Sequence, residues 1–123
     1  MSGGAWEYVM GNMKNSSNAF YSSNAGFTTA PDSKYYDSYK YDTFYASHAR
    51  GKLGDATKET LATFGSYTGG WYSDYAYFPY SSYSWLIRGG DYYSGTDAGV
   101  FYFDYGDGGG GSGYSARAVL SAQ

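Results

Sequence analysis

The 123-residue chain contains no cysteine, which excludes disulfides, thiol catalysis and cysteine-based metal sites. It has one histidine, His48, with no visible Asp or Ser constellation around it, so the reading is a surface or capping residue rather than a catalyst. Basic residues number 8 against 11 acidic ones, for a net charge of −3, and they form no run. Phosphate binding needs clustered Lys and Arg, so nucleic acid is not the expected partner. No apolar run is long enough to span a membrane. Met1-Ser2-Gly3-Gly4 lacks the charged and apolar regions of a signal peptide. Aliphatic side chains are scarce too: hydrophobic residues make up 42%, and more than half of that is the 23% that is aromatic. The core must therefore be built largely from Trp, Phe and Tyr. With 18 Tyr, many hydroxyls must stay half-exposed or find partners.

What is present supports one domain over residues 1–123. Residues 4–10 read as a strand, with Trp6, Tyr8 and Met10 alternating with Glu7 and Val9. Residues 11–30, rich in Asn, Ser and Gly, read as an irregular loop pinned by Phe20, Tyr21 and Phe27. Pro31-Asp32-Ser33 signals a helix start, and Tyr35, Tyr36 and Tyr39 share a helical face, which predicts a short helix near 33–40. Asp55 as cap, Ala56 to Phe64 as body and Gly65 as stop predict a second. Residues 66–84 read as aromatic-anchored loop. Strands are expected at Trp85–Gly89, Gly99–Phe103 and Ala116–Leu120. The sum is an α+β domain: a small antiparallel sheet, two short helices and much irregular loop.

The span from Asp91 to Tyr114 stands apart. Five Tyr, eight Gly, four Asp and two Ser account for 19 of its 24 residues, and it lacks Lys, Arg, Glu, Gln, His, Trp and Met. Asp107 to Gly113 holds five Gly in seven residues and reads as a long loop between two paired strands. A packed core is not written this way. A binding surface is: Tyr supplies rigid amphipathic area at small entropic cost, and Ser and Gly supply adaptability.

Three pieces in order carry a resemblance. Gly3-Gly4-Ala5-Trp6-Glu7-Tyr8, then Arg88-Gly89-Gly90-Asp91-Tyr92, then Tyr114-Ser115-Ala116-Arg117 resemble the C-type-lectin-like fold in its formylglycine-generating-enzyme branch. Within that branch the chain looks most like the variable proteins of diversity-generating retroelements. Adenine-directed mutagenesis there rewrites a C-terminal region toward Tyr, Asp, Ser, Gly and Phe, and never to Lys, Glu, Gln, Trp or Met. The resemblance implies a non-enzymatic receptor-type module at a cell surface or on a phage virion, with a protein or glycan as ligand. It assigns ligand contacts to Asp91, Tyr93, Ser94, Asp97, Tyr102, Asp104, Tyr105, Asp107, Ser112 and Tyr114, with Tyr80, Ser82 and Tyr83 extending the surface. The variable region would run from 80 to 114. The family has further elements before the Trp-Glu motif, which implies that an additional segment or a partner completes the fold, or that the fold is a reduced version. The generating enzymes use cysteines, absent here, so that chemistry is not inherited.

Arg88 and Arg117 read as structural, with Glu7 a candidate partner, because guanidinium offers five donors in a fixed fork. Trp6, Trp71 and Trp85 read as core. The aspartates have no EF-hand spacing, and no metal or cofactor is expected. The competing reading is a low-complexity, self-associating Tyr/Gly-rich segment. Against it stand the apolar Trp85-Leu86-Ile87 run and the aliphatic final strand.

Overall fold

A computed structural model describes residues 4–118. Its axis is β1, Trp6–Met13, paired along both edges. On one edge β3 (Trp85–Arg88) runs antiparallel to it, with Glu7 opposite Arg88 and Tyr8 opposite Ile87. On the other edge two short strands lie parallel to it: β5 (Tyr114–Ala116) beside residues 6–8, and β2 (Asp37–Tyr39) beside residues 11–13. β4 (Phe103–Gly106) closes the far side, antiparallel to β3. The sheet is thus mixed, with five strands in the order β2-β1-β3-β4 plus β5 on β1. The expected all-antiparallel sheet is corrected in two pairings.

The expected helices are also corrected. Ser33–Tyr35 makes a single 3-10 turn, capped by the Asp32 carboxylate accepting from the Lys34 N–H, and the chain then extends into β2. Tyr39, assigned to a helical face, enters the core through the sheet instead. Residues 55–64 form successive turns: Asp55 takes N–H and O–H from Thr57, and Ala56 adopts a positive φ that no helix continues through. Among the described residues the helical content consists of four 3-10 turns.

Three strand boundaries moved for local reasons. β1 continues past Met10 because Gly11 brings the backbone against Leu86 and the Tyr39 ring, where a Cβ would sit 3.1 Å from each. Asn12, fully buried, exchanges hydrogen bonds with the Tyr21 backbone and so pins the 11–30 loop from beneath. Val100-Phe101 is turn, not strand: the buried Asp74 carboxylate accepts the Phe101 N–H at 3.0 Å, and Gly99 lies so close to it that a side chain would overlap. The final strand begins two residues early, and Leu120 lies outside the described residues.

Side chains alternate across a strand, so the register assigns faces. Glu7, Val9, Leu86, Arg88, Phe103 and Tyr105 share one face; Trp6, Tyr8, Trp85, Ile87, Asp104 and Gly106 share the other. The first face carries the core, with Leu86 and Phe103 packed on Tyr39, Ala76 and Phe78. Tyr39 meets Phe78 edge-on at 4.7 Å, and each buried ring contributes on the order of 2 kcal/mol. His48 is buried here rather than on the surface. Its Nε2 donates to the Ala76 carbonyl at 2.6 Å and its Nδ1 accepts the Gly65 N–H at 3.1 Å, which fixes the neutral tautomer. The second face is covered at its Trp85 end by Phe20 and Phe27, and over Tyr8 by the 108–109 backbone.

Candidate ligand-binding site

Around Trp6 and Asp104, at the edge of this second face, lie two adjoining depressions of about 390 and 360 Å³. Trp6, Asp104 and Tyr105 line both, and so join them into one groove. The first is completed by Tyr83, Ile87, Gly106, Asp107, Gly109, Gly110 and Tyr114; the second by Tyr75, Tyr77, Asp91, Tyr93, Ser94, Asp97 and Tyr102. Ten of the thirteen residues nominated from the sequence therefore meet in one place. Tyr80 lies just outside, packed edge-on against Tyr105 at 4.9 Å. Ser82 and Ser112 are exposed and line neither depression.

The nominated residues do different things. Tyr93 is 82% exposed and Tyr83 38%, so their rings are available to a partner. Tyr102 is 2% exposed and Asp91 5%, so both belong to the framework under the groove more than to its surface. Asp91 Oδ1 accepts from the Tyr93 N–H and the Ser94 hydroxyl, holding the 91–94 turn. Tyr102 accepts from Trp6 Nε1 at 3.0 Å and donates to Asp104 Oδ2 at 2.7 Å. Asp104 is the polar floor. Burial opposes its ionisation and pushes its carboxyl up to about 6, against the pull of the Tyr102 O–H and the Tyr105 N–H. Asp107, near the surface, is held below the usual carboxylate range by the Asn24 amide and the Gly109 N–H.

Glycine density serves a close approach. The Tyr8 hydroxyl donates to the Gly109 carbonyl and accepts the Gly108 N–H, both at 3.1 Å, stapling the glycine loop over β1. Gly108 takes φ +87°, beside the Trp85 ring. The loop does not join two strands that pair with each other; it crosses from β4 to β5 at the other side of β1. This crossing puts Tyr114 over Tyr8, stacked at 5.1 Å.

Three participants were missed from the sequence. Trp6, read as core, lines both depressions. Tyr75 and Tyr77 were left in irregular loop, yet Tyr75-Ala76-Tyr77-Phe78 alternates, with Ala76 and Phe78 fully buried. That period-two pattern was the available signal. Their rings extend a continuous aromatic wall: Tyr83 stacks on Tyr105 at 5.0 Å, Tyr105 meets Tyr77 at 5.6 Å, and Tyr77 meets Tyr75 at 5.3 Å. Burial raises the Tyr77 hydroxyl to about 12, so it is neutral near neutral pH and both donates and accepts.

Glu7 pairs with Arg117 at 2.7 Å, not with Arg88. Of the three Trp, Trp85 is core at 3% exposed, while Trp71 is exposed. Among the described residues there is no cluster of three or more His, Asp or Glu that could hold a metal, and no helix long and apolar enough to cross a membrane. Chemically the groove offers flat apolar rings with hydroxyl rims, bendable backbone and one recessed carboxyl. No model of a known protein family, no curated protein and no solved structure matches the chain.

Proposed function

We propose that this chain is a non-enzymatic, receptor-type binding module whose ligand, a protein or a glycan on a cell, is held in the tyrosine-walled groove. The observation that supports the reading is the convergence of Tyr83, Asp91, Tyr93, Ser94, Asp97, Tyr102, Asp104, Tyr105, Asp107 and Tyr114, scattered over some thirty residues, around two depressions that share Trp6, Asp104 and Tyr105. Aromatic side chains of this kind dominate interface hot spots. The scaffold is read as a C-type-lectin-like domain of the formylglycine-generating-enzyme branch. The region 80–114 is read as the product of a diversity-generating retroelement, displayed at a cell surface or on a virion. The sequence motifs support both readings, and so does the division of labour in the groove, where exposed rings sit on a separately braced floor. The paired strands and buried aromatic core favour this over a self-associating low-complexity segment.

The test is a display library randomised at Tyr83, Tyr93, Asp97 and Asp107, selected against lysozyme as a fixed target. Recovered binders that melt within a few degrees of the parent, as expected of about ±0.5 kcal/mol surface changes, support a diversifiable surface. General unfolding of the library would sink it. In the neighbouring DNA, a near-copy of the 3′ end with adenines at these codons, beside a reverse transcriptase, tests the origin.

A further inference from the structure

A cavity of about 600 Å³ lies away from the groove, at the border of the core face. Val9, Leu86 and Arg88 place it on the side of the sheet opposite Ile87 and Asp104. The charged groups around it are Lys34, Lys52 and Arg88, with Asp37 and Asp55.

The two carboxylates are not equivalent. Asp55 is saturated: it accepts the Tyr39 hydroxyl at 2.9 Å, the Lys52 N–H at 3.0 Å, and both N–H and O–H of Thr57 at 2.8 and 2.6 Å. Asp37 is exposed at the rim. Arg88 is the opposite case. Its Nη2 donates to the Asp55 backbone carbonyl, a neutral acceptor, and its guanidinium lies 5.5 Å from the Phe103 ring centroid. No carboxylate of the described residues forms an ion pair with it. Yet none of its nitrogens is sealed without a partner, since the one such atom among the described residues is Ser38 Oγ. Its remaining N–H groups are therefore not sealed from solvent, and the residue lines the cavity.

Burial lowers the Arg88 proton affinity; Asp55 and Glu59 oppose that from a distance, but no carboxylate of the described residues contacts the half-buried guanidinium. The fork that would relieve this is a pair of oxygens on one atom, bound bidentately, with a flexible ammonium closing from the side. Lys52, exposed and lining the same cavity, supplies that ammonium. We propose that the Arg88–Lys52 cavity is a binding site for a small oxyanionic ligand, a carboxylate or a phosphate monoester, separate from the tyrosine-walled groove.

The experiment titrates the intact chain with sodium glucuronate and, separately, with glucose 6-phosphate, against sodium chloride at matched ionic strength. It follows the Arg88 Nε–Hε resonance by NMR. A saturable shift with either probe, absent with chloride, is the expected result, and the probe that saturates first identifies the oxyanion. Arg88→Lys keeps the charge but loses the fork and is expected to weaken binding by about tenfold or more. Lys52→Gln, at an exposed position whose folding role is carried by its backbone N–H, is expected to weaken it by about threefold. Should Arg88→Lys fail to fold, Lys52→Gln still decides. No saturation with either probe overturns the proposal, as does saturation that Lys52→Gln leaves unchanged. Neither outcome touches the groove on the other face, whose library test stands separately.

Discussion

Replacing Tyr102 by Phe removes one oxygen atom and keeps the ring that fills the core. That oxygen accepts from Trp6 Nε1 and donates to Asp104, whose carboxyl titrates at about 6. Below that value the lost bonds are between neutral groups and cost about 1 kcal/mol. Above it, a buried carboxylate loses its O–H donor, and the cost rises to about 3 kcal/mol. The difference must appear as a pKa change, since one unit corresponds to about 1.4 kcal/mol. The Asp104 carboxyl should therefore rise by about one to one and a half units in Y102F. Urea unfolding at about pH 5 and about pH 8 gives the two stabilities, with Tm lower by roughly 4 °C and 10 °C respectively. The carboxyl carbon resonance of Asp104 gives the pKa independently. A cost that is equal at both pH values, or an Asp104 pKa that stays put, would refute the Trp6–Tyr102–Asp104 chain as the brace beneath the groove.

Asp104→Asn follows from the same group. The folded carboxyl holds its proton more tightly than the unfolded one, at about 6 against 3.8, so the wild type loses stability as pH rises across that window. The loss is on the order of 3 kcal/mol, and in D104N this slope should vanish from pH-dependent urea curves. His48 acts in the opposite sense. Burial lowers its pKa from 6.5, so acidification through and below that value destabilises the fold; His48→Gln should flatten that limb while costing roughly 1–3 kcal/mol in lost hydrogen bonding, read by calorimetry. Gly99→Ala should destabilise by about 2 kcal/mol or more, because the new methyl meets the Asp74 carboxylate that holds Phe101; chemical denaturation measures it. The double change Tyr83→Ala, Tyr93→Ala should leave Tm within a few degrees, since Tyr93 is exposed and Tyr83 partly so. Loss of binding to a glycan or protein array spot recognised by the wild type then reports the groove alone.

The Tyr/Gly/Asp/Ser bias of 91–114 singled out residues that the fold does bring together around two depressions, because composition records residue types directly. The strand cores at Trp6 and Trp85 were legible too, as apolar or alternating runs. The helices were not. Tyr35, Tyr36 and Tyr39 fit a helical face, but Tyr39 gains more by entering the core beside Phe78, and tertiary packing overrides a weak local preference. Nor could composition tell Tyr102 from Tyr93. Both are tyrosines in a tyrosine-rich span. One is enclosed because cross-strand register aims its neighbours inward and Trp6 reaches over to cap it. Which tyrosine braces and which displays is decided by pairing partners some hundred residues away.

β1 has a further implication for how the molecule comes into being. Its neighbours β3 and β5 lie roughly eighty and a hundred residues downstream. On a ribosome, β2 can pair with residues 11–13 early, but the edge that takes β3 and the stretch that takes β5 stay open until those distant segments emerge. Long loops must then close before any of these ladders can form, which slows the search. A nascent chain with bare strand edges and many aromatic rings is a hazard for its neighbours during that interval. Speed of synthesis and the help of chaperones thus bear on yield here.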